Sequence, residues 1–85
     1  MPYISQDDRK KLDNLTKEIE NTPISSPGEL NYLVTMLCKK YLSQEKESYA
    51  THNSIIGVLE AAKLEWYRQR TAPYENKKLT ENGDV

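Results

Sequence analysis

Apolar residues recur along this chain three and four positions apart, the spacing of helices that each bury one face. Leu12, Leu15 and Ile19 make a first series, and Leu30, Leu33, Val34, Leu37, Cys38 and Tyr41 make a second. A third runs through Ile55, Leu59, Ala62 and Trp66. Punctuation falls between them. Ser5, followed three residues later by Asp8, resembles a capping box, and Asn21-Thr22-Pro23 ends the first helix because the residue before proline is pushed out of the α region. Ser26-Pro27-Gly28-Glu29 starts the second helix, with Ser26 as N-cap, Pro27 at the first helical position and Glu29 able to reach back to the cap. Ser43–Ser48 has neither periodicity nor bulk and is short enough to return the next helix antiparallel.

The expected fold is therefore all-α: a small helical domain dominated by an antiparallel hairpin of helices at about 27–42 and 49–71. A lighter N-terminal helix leans on that hairpin, whose core is centred on the second helix, with Trp66 packed into it. Pro73 stops the third helix. Residues 1–72 form the helical domain, and 73–85 an ordered, non-helical tail packed on the domain or on a neighbouring copy. Tyr74 and Leu79 are its spaced anchors, Asn82-Gly83 is a turn, and Glu81 and Asp84 are expected to meet Arg68 or Arg70.

Composition sharpens the picture. Leu, Ile and Val total 17 of 85 residues and Phe is absent, so one chain offers little for a core. Small domains of this kind lean on staples or partners. Twelve basic and 13 acidic residues give a net charge of −1, which leaves no field to draw in a nucleic-acid backbone and argues against general DNA binding. Cys38 is the single cysteine, so no intrachain disulfide forms, and its place on an apolar face marks a small buried hydrophobe. The N-terminus lacks an apolar leader and no run is long enough to cross a membrane, so a cytoplasmic protein is expected.

Candidate chemistry concentrates on one stripe. Asn53, Glu60, Lys63 and Tyr67 follow the flank of the third helix, with Tyr49 one turn above, while Asn31 and Thr35 flank the second. If the two flanks meet, they make a groove of amide, hydroxyl, carboxylate, ammonium and phenol groups beside an apolar wall, suited to a small molecule or peptide. The plainer alternative is an i, i+3 ion pair between Glu60 and Lys63. Arg68 and Arg70, near Lys77 and Lys78, add a basic cluster for an anionic ligand or simply for the helix C-terminus. Six Tyr and one Trp against no Phe favour aromatics that keep a polar handle, as binding surfaces do.

Gly57, Ala61 and Leu64 form a second, lighter side of the third helix. Gly in a helix interior costs about 1 kcal/mol relative to Ala, which close approach of another helix explains, so these three are the expected oligomer interface. Enzyme signatures are missing: there is no Gly-rich phosphate loop, no nucleophile elbow and no Cys-x-x-Cys. His52, the lone histidine, is expected to pack near the start of the third helix. The carboxylates lack the paired spacing that holds Mg²⁺ in helical nucleotide hydrolases, and no metal, cofactor or catalytic residue is expected.

Gly28-Glu-Leu-Asn-Tyr32, Gly57-Val-Leu-Glu-Ala-Ala-Lys-Leu-Glu-Trp-Tyr-Arg68, Pro73-Tyr-Glu75 and Glu81-Asn-Gly-Asp-Val85 resemble, in order and spacing, a family of small proteins of unassigned function from tailed phages and prophages. Trp66 and Gln69 depart from its more usual residues. The resemblance implies a phage-encoded protein acting in the host bacterial cytoplasm. The expected function is a non-catalytic accessory protein that binds a host protein or a small anionic ligand, such as a nucleotide signal, and blocks a host process. A homo-oligomeric structural or assembly subunit is the alternative, and a metal-dependent nucleotide hydrolase the third.

Overall fold

Short-range capping sets the elements. Ser5 is extended and its hydroxyl accepts from the Asp8 amide at 3.1 Å, opening α1, Gln6–Lys10. The computed structural model describes residues 3–84 of the 85; Val85 of the tail, with Met1 and Pro2, lies outside them. The first helix was expected to run unbroken through Leu12, but it is in two pieces. The Leu12 amide turns back to the Arg9 carbonyl at 3.0 Å, and Leu12 sits at φ −102°, ψ 3°, before α2 begins at Asp13 and runs to Asn21. Asp and Asn favour helix starts over helix interiors, and Asp13-Asn14 restarts the helix. Thr22 is extended ahead of Pro23, as expected.

The second capping box forms with a shift of one residue. Ser26 Oγ accepts from the Glu29 amide at 3.1 Å, while Glu29 Oε1 accepts from the amide of Ser25, not Ser26, at 3.0 Å. From it α3 runs Pro27–Gln44, two residues past the expected end. Ser48 then caps α4, Tyr49–Trp66, accepting from the Thr51 amide at 3.2 Å.

The expected stop at Pro73 does not stop the chain. Tyr67–Thr71 forms a π-helical turn, in which the Ala72 amide reaches back five residues to the Tyr67 carbonyl, and α5 continues from Ala72 to Asn82. In a regular α-helix the Pro73 ring would press on the Gln69 carbonyl, and proline has no N–H to offer it. Widening the preceding turn removes the conflict, a common place for a π-turn. The segment 73–82, expected to be a non-helical tail folded back on the domain, is thus the continuation of one joined helix, 49–82. Asn82-Gly83 is that helix's end: Gly83, at φ +81°, donates to the Leu79 carbonyl at 2.8 Å. Only glycine adopts that backbone without strain.

All regular structure among the described residues is helical, and none of those helices is long and apolar enough to cross a membrane. The chain divides into two compact units, Met1–Tyr41 and Leu42–Val85. Neither has an interior. No described residue is buried. Of the expected core, Val34 and Cys38 are half-buried while Leu30 and Leu37 are exposed, and Trp66 is 64% exposed. Periodicity identifies a face that favours cover, but it does not say what supplies the cover.

Replacing Pro73 with Ala removes the conflict that the π-turn relieves. Pro73→Ala should let residues 67–71 relax to α-helix, raise the melting temperature, and shift the phase of residues 74–82. Circular dichroism melts and backbone chemical shifts check this; an unchanged π-turn in the variant contradicts it.

Candidate functional site

The residues expected to form a groove fall in both units, Asn31 and Thr35 in the first and the others in the second. Within the first unit, Thr35 Oγ1 donates to the Asn31 carbonyl at 3.0 Å, the back-bonding of a hydroxyl to its own helix. Both side chains are exposed. In the second unit, Tyr49 through Arg70 are strung along about 32 Å of helix axis. Tyr49 is 89% exposed and Asn53 is exposed. Glu60 and Lys63 pair with each other at 3.0 Å, the plainer of the two expectations. His52 Nε2 lies 2.9 Å from Glu47 Oε2, outside the helix start, so it is tied to the α3–α4 connection.

The denser cluster lies at the end of α4, around a residue that was not singled out. Glu65 takes both nitrogens of the Arg68 fork, with Nε at 3.4 Å from Oε2 and Nη2 on Oε1, and accepts from Gln69 Nε2 at 2.7 Å. Its side chain is 15% exposed. The Arg68 guanidinium, helped by the Gln69 amide, holds the Glu65 carboxyl well below the usual carboxylate range. Arg68, proposed as a ligand for anions, is therefore engaged by its own helix. Arg70 is exposed.

Across the π-turn, the Tyr67 phenol bonds to the Glu75 carboxylate, which raises the phenol's pKa through that bond and through the negative charge. These residues are eight apart, which diverges by about 80° on a regular helix. The additional residue in the π-turn brings them to nearly the same face. Because the neutral phenol is the favoured donor, this contact contributes below the ordinary phenol pKa near 10 and is lost as pH rises through the raised value. Beyond it, the Lys78 ammonium stands 5.7 Å from the Tyr74 ring centre and 3.1 Å from Glu81. Glu81 thus pairs along α5, where Arg68 or Arg70 was expected. Tyr74 and Leu79, the expected anchors, are exposed.

Two open hollows of similar size exist. One of about 450 Å³ is lined by Pro23, Ile24, Tyr32 and Leu33 among others, and one of about 430 Å³ lies along α5 from Tyr74 to Asp84. Neither gathers the polar stripe. No group of three or more His, Cys, Asp or Glu among the described residues could hold a metal ion. Gly57, Ala61 and Leu64, the expected interface, are all exposed, and a Cβ built on Gly57 meets nothing within 4 Å. The most extensive feature left uncovered on the second unit is thus the apolar surface of α4.

The Glu65 cluster makes a pH prediction. A depressed carboxyl contributes stability above its unfolded pKa, about 4.3, and loses it as pH falls towards the folded value. Helix content followed by circular dichroism should drop between pH 4.5 and 2, and Glu65→Gln should remove most of that drop while lowering the melting temperature at pH 7. An acid transition identical in the variant rules the cluster out as its source.

A family model described as "Domain of unknown function (DUF6899)" matches residues 1–85. No curated protein and no solved structure matches the chain.

Proposed function

We propose that this chain, which belongs to the DUF6899 family, is a non-enzymatic helical subunit that works by associating with copies of itself. One observation carries this: no described residue is buried, while Ile56, Val58, Leu64 and Trp66 on a single helix are each more than half exposed. A helix that is apolar on all sides belongs in an interior. The chain exposes 7802 Å², whereas a folded monomer of 9.9 kDa shows about 5200 Å². The excess, about 2600 Å² per chain, is of the order that an obligate homodimer covers.

The assembly reading stands ahead of ligand capture because the charged groups of the stripe are engaged locally: Lys63 with Glu60, and Arg68 with Glu65. Hydrolysis would need carboxylates converging on one point, and Glu60, Glu65, Glu75 and Glu81 are distributed along the joined helix. The resemblance to tailed-phage proteins places such an assembly in the cytoplasm of an infected bacterium. There a self-associating helical subunit could form a particle component or a scaffold.

Sedimentation equilibrium between about 1 and 200 µM tests this. The expected result is a dimer or larger species, with a melting temperature that rises with protein concentration. A 9.9 kDa monomer that melts cooperatively at every concentration would sink the proposal.

A further inference from the structure

The apolar surface of α4 contains information about how a second copy sits on it. Ala50, Ser54, Gly57, Ala61, Leu64 and Arg68 follow one another at spacings of 4, 3, 4, 3 and 4, which is the seam along which two helices pack in register. All six are exposed, and Gly57 opens onto empty space, so another backbone can come close. Ile56 and Val58 border the seam on its two sides, about 65% and 64% exposed, and would be covered by the same partner.

Side-chain size along the seam is graded from small at the N-terminal end to large at the C-terminal end. Resting on the self-association reading above, we infer that two copies pair through this seam antiparallel, about a two-fold axis near Leu59. In that arrangement Leu64 of each copy fills the space over Ser54 of the other, Gly57 faces Ala61, and the Arg68 stem lies over Ala50. Large meets small at each level. In a parallel pair, Leu64 and Arg68 each face their own counterpart and Gly57 faces Gly57, which crowds one end, brings two guanidinium groups together and leaves a gap at the other. Near the axis Val58 meets Val58 on one flank. On the other flank Glu60 meets Glu60, each partly neutralised by its own Lys63 at 3.0 Å. Antiparallel helices also align their dipoles favourably.

Nitroxide labels on the full chain, in a Cys38→Ser background, measure the orientation. At His52→Cys, seven residues from the axis, the antiparallel pair separates the labels by about 20–25 Å, and at Glu60→Cys, next to the axis, it brings them to about 10 Å. Equal, short distances at both positions mean a parallel pair and overturn the inference. Any other combination in a protein that sediments as a dimer also overturns it. A protein that sediments as a monomer instead removes the self-association reading, so the two failures are distinguishable. Gly57→Leu gives a second test that does not depend on labels: it meets no atom of its own chain, so the helix should remain, while dimerisation weakens about tenfold or more. Unchanged dimer affinity in that variant overturns the seam.

Discussion

A single helix has no inside. Every side chain on it faces solvent or another element, so the burial that stabilises a folded protein has to come from a neighbour. In this chain that constraint governs the rest. The second unit is built on one joined helix of 34 residues, Tyr49–Asn82, roughly 50 Å long, and its apolar residues point in several directions at once. Ile56 and Val58 lie about 200° apart around the axis, as do Leu64 and Trp66. Such a helix is stable in water only in company, and the local devices along it, however numerous, do not substitute for that company.

Those local devices still decide the helix's form. The Glu65–Arg68–Gln69 cluster sits just before the π-turn, and the Tyr67–Glu75 bond spans it. Between them they bracket the one stretch where the regular hydrogen-bond ladder is widened to admit Pro73. Exposed pairs of this kind contribute modestly one at a time. Placed on either side of a weakened turn, they act where the helix is easiest to break.

What the sequence disclosed follows from how far each signal reaches. The caps at Ser5, Ser26 and Ser48 depend on residues three positions away, and each forms where contiguous residues foretell it. The Glu60–Lys63 pair was equally legible. The π-turn was not, because the proline rule assumes a regular helix and a one-residue widening leaves no mark in composition. That error hid α5, turned Asn82-Gly83 from a helix cap into a loop turn, and put Glu75 on the wrong face for Tyr67. The stripe of Asn31, Thr35 and the α4 flank failed as a groove for a different reason: a helical wheel ranks residues around one axis and carries nothing about distance along it. Glu65 was visible at i, i+3 from Arg68 but was passed over because the arginine was considered first as a ligand for something outside the chain.

The local character of the caps and ion pairs has a consequence in time. Each of those named above joins residues no more than five positions apart, apart from the single bond across the π-turn, so forming them requires no long loop to close. Helical segments of this length reach equilibrium with the coil in about a microsecond. Meeting another molecule at micromolar concentration takes far longer, even at typical protein association rates. The chain therefore samples its helices many thousands of times between encounters. Its slow variable is the supply of partners rather than the making of secondary structure.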